Sequence, residues 1–123
     1  MKKRVLLVDD EPEICFLLRN LLKRQGMDCR IANSLKEARS AVSQDRYDAV
    51  FLDVHLSDGL GYELIDDLRK SSKSVLCIAI SAVDAERVNA ERAGADRFIS
   101  KPFSQADILG ALSPISNSTH TDQ

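Results

Sequence analysis

The apolar positions of this chain fall into two alternating rhythms. Short unbroken apolar runs bounded by polar residues read as strands buried on both faces, and one-sided stripes at helical spacing read as amphipathic helices. Arg4–Val8 is the first run, and it stops on Asp9-Asp10-Glu11-Pro12. Pro12 suits the first turn of a helix, where its missing N–H costs nothing. Ile14, Leu17, Leu18, Leu21 and Leu22 then recur at helical spacing as one inward face, and Gly26 closes the element. Asp28–Ala32 alternates, Cys29 and Ile31 against Arg30, as a more exposed edge strand does. Ser34-Leu35-Lys36-Glu37 has the form of a capping box opening a second helix, with Leu35, Ala38, Ala41 and Val42 on its inner side.

Residues 49–52 are apolar without interruption and end on Asp53, which is read as an exposed strand end because Ser57-Asp58-Gly59-Leu60-Gly61 follows soon after. A third helix is carried by Leu64, Ile65 and Leu68; residues 75–80 form another central strand closing on Ser81. Residues 85–93 make a weaker, alanine-rich helix that stops at Gly94, and its thin apolar face marks it as the most mobile one. Arg97–Ser100 is a short strand leading to Lys101-Pro102-Phe103. The last helix covers residues 104–112, with Ile108, Leu109 and Leu112 facing in, and the Ser/Thr/Asn-rich residues 113–123 are expected to be a disordered tail or linker.

Five strands alternating with five helices, without internal repeat, predict an α/β fold: a doubly wound parallel sheet with right-handed crossovers and helices on both faces. At 123 residues this is one domain, placed at residues 1–112 and large enough to need no disulfide. Cys15, Cys29 and Cys77 are odd in number, lack CxxC spacing and fall in apolar segments, so they read as core residues of a reducing compartment. A net charge of -2 gives no basic footprint for direct nucleic-acid binding. The basic start Met1-Lys2-Lys3-Arg4 meets acid again after Val8, too soon for a signal peptide, and no apolar run approaches the ~20 residues of a membrane span. The expectation is a soluble, cytoplasmic chain.

In a parallel sheet the ends of successive strands share one edge, where open α/β sheets place their chemistry. That edge would gather Asp9, Asp10, Asp53, Ser81 and Lys101. Each alone has an ordinary explanation as a cap, a turn former or a solvated surface group. Together they put three carboxylates, which repel one another in a partly dry cleft, beside a single lysine. An all-oxygen site of that kind suits Mg²⁺, which prefers few carboxylates plus a phosphate. Asp53 is then a plausible nucleophile toward phosphorus, with the cations neutralising the transferred oxygens.

Val8-Asp9-Asp10-Glu11-Pro12, Phe51-Leu52-Asp53, Ile80-Ser81-Ala82 and Lys101-Pro102-Phe103 resemble the signature stretches of response-regulator receiver domains of two-component signalling, over essentially residues 3–112. The resemblance implies a flavodoxin-like fold of strand order 2-1-3-4-5. It implies that Asp53 is the phosphoacceptor, and that Asp10 and Asp53 bind Mg²⁺ directly, Asp9 mainly through water and His55 by its backbone carbonyl. Ser81 would hydrogen-bond the phosphoryl group, Lys101 would pair with it, and Lys101–Pro102 would be a cis peptide. Ser81 and Phe98 would be the switch pair; Phe98 lacks a hydroxyl, so its coupling must rest on burial. The partners implied are a sensor histidine kinase or histidine phosphotransfer protein and an unknown downstream partner.

Two positions depart from the common family pattern. His55 stands where many relatives have a small polar or neutral residue, and Val83 offers no polar group; both flank the expected path of a hydrolytic water, so slow dephosphorylation is expected. The last helix carries only Asp107 as a charge, which points to a monomer or weak dimer. The chain reads as a stand-alone receiver or the front of a longer protein, a switch that catalyses only its own phosphorylation and hydrolysis. A haloacid-dehalogenase-like phosphatase would need an acid where His55 stands, and a cap segment. A phosphorylation-independent binding scaffold would not need the full set of site residues.

Overall fold

The computed structural model describes residues 2–71 and 74–116. Five parallel strands form one sheet: β1 (Arg4–Val8), β2 (Asp28–Ala32), β3 (Ala49–Asp53), β4 (Leu76–Ser81) and β5 (Arg97–Ser100). Their order is β2-β1-β3-β4-β5, the doubly wound order expected. Helices α1 (Pro12–Arg24), α2 (Leu35–Gln44), α3 (Tyr62–Ser71) and α4 (Glu86–Ala93) fill the four crossovers, and α5 (Gln105–Ala111) follows β5. A small antiparallel hairpin pairs His55–Leu56 with Gly59–Leu60 just after β3. Among the described residues no helix is long and apolar enough to cross a membrane.

Successive residues of a strand point to opposite faces, so unbroken apolar runs feed two cores at once. Val5, Leu7, Phe51, Ile78 and Ile80 pack under Leu18, Leu21 and Leu22 of α1 and Ile108 and Ala111 of α5. Leu6, Val8, Val50, Leu52 and Cys77 pack against Leu35, Ala38 and Ala41 of α2 and Leu64, Ile65 and Leu68 of α3. Fully burying a side chain such as Phe51 is worth roughly 1.5–3 kcal/mol, so this double layer fixes the register. Helix α4 is different: its only buried residue is Ala90, which meets Val54 and Ala79.

Several local expectations shift. Ile14, Leu18, Leu21 and Leu22 face the core as expected, but Leu17 is 47% exposed, beside Phe16 at 68%, and Cys15 takes a buried position. Ser34 Oγ does accept the Glu37 N–H, but the Glu37 carboxylate accepts from Asn33 rather than from Ser34, so the box is opened by one residue. A complete capping box occurs instead at α5, between Ser104 and Asp107. Leu109 is only half-buried, and Ala111 is the buried residue instead. Cys15 and Cys77 are buried as expected and Cys29 is partly so; all three thiols are free and held above their ordinary pKa by burial. Residues 113–115, the start of the expected disordered tail, form turns after α5, and Ile115 packs on the core. Residues 117–123 of that tail lie outside the described residues.

Candidate phosphoacceptor and metal site

Register brings the strand ends together. Val8 pairs with Leu52, so Asp9 leaves β1 level with Asp53 at the end of β3. Asp53 pairs with Ile80, one residue before Ser81, and Ser81 pairs with Ser100, one residue before Lys101. The ladders run on by one bond each: Val54 N–H to the Ile80 carbonyl at 3.0 Å, and Lys101 N–H to the Ser81 carbonyl at 2.9 Å. The Lys101–Pro102 peptide is cis.

Carboxylate oxygens of Asp9, Asp10 and Asp53 all lie within 4.8 Å of one another. Their environments differ. Asp10 is exposed, whereas Asp9 and Asp53 are 2% and 6% exposed. Asp53 is therefore a buried acid, not the exposed strand end expected, because it is enclosed between Asp9, the following loop and Lys101. The neighbouring chain approaches closely: the Gly61 N–H donates to the Val54 carbonyl at 2.8 Å, and a Cβ at Gly61 would stand 2.5 Å from the Asp53 carbonyl oxygen. Only a glycine fits that return turn.

The Lys101 ammonium sits among three carboxylates: 2.9 Å from Glu11 Oε1, 3.3 Å from Asp9 Oδ2 and 3.5 Å from Asp53 Oδ2. Burial opposes its charge, but the hydrogen bond to Glu11 and the fields of Asp9 and Asp53 outweigh it and raise its pKa. Asp53 moves up chiefly through burial, against the His55 N–H bond to Oδ1 (3.1 Å) and Lys101, with Asp10 adding repulsion. Asp9 is pushed up to about 6, by burial first, with the Glu11 N–H bond opposing and the charge of Asp53 adding. Asp9 Oδ2 accepts no hydrogen bond, and its contact with Lys101 is ionic rather than directed. Such an orphaned buried oxygen, in an all-carboxylate set short of positive charge, fits a hard divalent cation.

The remaining site residues range from buried to exposed. Ser81 is 1% exposed, and its Oγ accepts the Val83 N–H at 3.0 Å. Val83 itself is 47% exposed. The His55 imidazole is exposed, with Nε2 3.7 Å from Glu86 Oε2 at the start of α4. Phe98 is half-buried, with the Arg87 guanidinium 4.8 Å above its ring centre. A groove of about 410 Å³ opens there, lined by Arg87, Arg97, Phe98, Pro102 and Asp107 among others. Ser100 Oγ bonds Asp84, tying β5 to the loop before α4. Sequence reasoning passed over Glu11, the nearest partner of Lys101, and Asp58, which accepts the Leu35 and Lys36 N–H groups and caps α2 from the loop after β3. Both are short-range acids whose partners are distant in sequence, so no local pattern reveals them.

This chain is similar to known proteins. The chain is 34% identical over 109 residues to the KDP operon transcriptional regulatory protein KdpE of Escherichia coli, covering 88% of this chain and 48% of KdpE. It is 33% identical over 111 residues to the transcriptional regulatory protein TrcR of Mycobacterium tuberculosis, covering 89% of this chain and 43% of TrcR. The chain thus spans about half the length of these curated relatives or less. Among solved structures, the response regulator TrrA of Thermotoga maritima in complex with Mg(2+)-BeF is similar at 29% identity and a TM-score of 0.84, covering 91% of this chain and 97% of that one. The family model of the response regulator receiver domain matches residues 5–113, nearly the whole described fold, and the chain belongs to that family.

Proposed function

We propose that this chain accepts a phosphoryl group on Asp53 from a sensor histidine kinase or histidine phosphotransfer protein, and that phosphorylation changes its binding to a downstream partner. The observation that carries this is Asp53 Oδ2 lying 3.5 Å from Lys101 Nζ, with oxygens of Asp9 and Asp10 gathered beside it. An Asp53 oxygen attacks phosphorus in line, the phosphorus–nitrogen bond to the donor imidazole breaks, and the imidazole keeps the electron pair. Lys101 pairs with the transferred oxygens. The Ser81 hydroxyl already accepts from Val83, which leaves its proton to donate to the phosphoryl group.

Asp10 and Asp53, with Asp9 behind them and the His55 backbone carbonyl, would hold Mg²⁺. When bound, it would neutralise charge on the transferred oxygens. The similarity to TrrA, described with Mg(2+)-BeF, supports this assignment. The chain acts on no separate metabolite: it catalyses only its own phosphorylation and the later hydrolysis. Ser81 and Phe98 form the switch, and the groove between α4, β5 and α5 is the face whose shape changes. The working state is a cytoplasmic monomer or weak dimer.

A phosphorylated histidine kinase mixed with this chain and Mg²⁺ tests the proposal. Radiolabel should move from kinase to chain and should stay on the kinase when EDTA is added. Transfer that is absent with every kinase and small-molecule donor would overturn it.

A further inference from the structure

Glu11 occupies the N-cap position of α1, yet its side chain makes no capping bond. An acid there ordinarily stabilises the helix by accepting an N–H of the first turn. Here the carboxylate reaches instead across 90 residues of sequence to Lys101 at 2.9 Å, the shortest of the three contacts that the ammonium makes. Its own N–H is pinned to Asp9 Oδ1 at 2.8 Å, which fixes the backbone from which it reaches.

Resting on the phosphoacceptor reading, we infer that Glu11 is a positioning residue: it holds Lys101 in the resting state and is exchanged for the phosphoryl oxygens when Asp53 is phosphorylated. An ammonium has three donors; hydrogen bonds to Glu11 and Asp53 take two of them, and the Asp9 carboxylate lies 3.3 Å away as an ion pair. Phosphoryl oxygens on Asp53 take over its contact and compete with Asp9 and Glu11 for the same ammonium, and the partner held least firmly gives way. Asp9 is 2% exposed and its Oδ2 has no hydrogen bond to fall back on, so losing Lys101 there leaves a bare buried charge. The Glu11 side chain is 54% exposed, and water replaces Lys101 at little cost. Glu11 therefore competes with the incoming group for the lysine, and its removal frees Lys101 to engage the donor.

The test uses acetyl phosphate with Mg²⁺. An Asp53 oxygen–phosphorus bond forms, the acetyl oxygen–phosphorus bond breaks, and acetate leaves with the electron pair. Initial rates of phosphorylation at Asp53 are compared for wild type, Glu11→Gln, Lys101→Ala and the double variant, with thermal melts to verify folding. Glu11→Gln should react about two- to fivefold faster than wild type, the range of an exposed ion pair, and the gain should shrink at high salt. In the Lys101→Ala background the same change should give no gain. A Glu11→Gln rate equal to or below wild type overturns the inference, as does an equal gain without Lys101, which would reflect simple repulsion of the donor. If the wild type takes no phosphate at Asp53, the phosphoacceptor reading falls and this inference with it; normal phosphorylation with no Glu11 effect sinks this inference alone.

Discussion

The Tyr62 hydroxyl, on the first residue of α3, donates to the Glu86 carboxylate and lies 3.3 Å from the Glu86 backbone carbonyl, at the first residue of α4. The same carboxylate accepts from Asn89 and faces the His55 imidazole. With Ala90 as its only buried residue, α4 has little apolar adhesion, and this polar knot ties its leading end to the segment that follows Asp53.

Tyr62→Phe removes the donor and keeps the ring. It should lower stability by about 0.5–1.5 kcal/mol, the net worth of one hydrogen bond, and should speed amide hydrogen exchange across α4 more than elsewhere. Exchange in α4 at the wild-type rate would show that the knot does not hold the helix.

Three gathered carboxylates with one lysine predict a Mg²⁺ response. At ten times its Kd, Mg²⁺ should stabilise the fold by roughly 1.4 kcal/mol if it binds only the native state. Asp10→Asn should raise the stability of the metal-free protein by relieving repulsion and lose most of the Mg²⁺ gain. Calorimetric melts of both proteins with EDTA and with Mg²⁺ make the comparison; an unmodified protein indifferent to Mg²⁺ would count decisively against the site.

The pH dependence has a definite sign. An unfolded aspartate titrates near 4, whereas burial pushes Asp9 in the fold up to about 6 and raises Asp53 as well. Between those values the native state binds more protons than the unfolded chain, so stability falls as pH rises through that window and levels off above it. Asp9 alone should contribute a loss on the order of 2 kcal/mol from pH 4 to 7. Mg²⁺ favours the ionised forms and should flatten the slope. Urea midpoints measured across this range in EDTA carry the test, and a contribution rising with pH, isolated by comparison with Asp9→Asn, would contradict it.

Two glycines should respond with opposite signs. A Cβ at Gly61 meets the Asp53 carbonyl oxygen at 2.5 Å and Leu52 Cγ at 2.8 Å, so Gly61→Ala should cost about 1–3 kcal/mol. Gly110 lies inside α5 with nothing within 4 Å of an added Cβ, and Gly110→Ala should gain about 0.5–1 kcal/mol. Equilibrium unfolding of the two variants decides both.

The elements were legible because the chain punctuates them strongly. Asp53 and Ser81 close apolar runs, Pro12 opens a helix, and Gly94 ends one in the left-handed conformation. Strand order was not legible from periodicity and came from the resemblance, since alternation says which residues are inside but not which strands are neighbours. Depth was misjudged at Asp53, because burial there comes from Asp9 and Lys101, brought in from distant parts of the chain. The inner face of α1 was misjudged at Leu17 because leucine spacing outweighed the small Cys15. The links made by Glu11, Asp58 and Tyr62 were invisible for a shared reason: each is a polar contact between residues far apart in sequence.

The central claim is that Asp53 is the phosphoacceptor. It is tested most directly by incubating the chain and its Asp53→Asn variant with acetyl phosphate and Mg²⁺, then locating any added phosphate by peptide mass spectrometry. Asp53 closes β3 with Lys101 at 3.5 Å and the oxygens of Asp9 and Asp10 beside it. The wild type should carry one phosphate, on the peptide containing Asp53, and the variant none. Labelling that persists undiminished in Asp53→Asn would contradict the account.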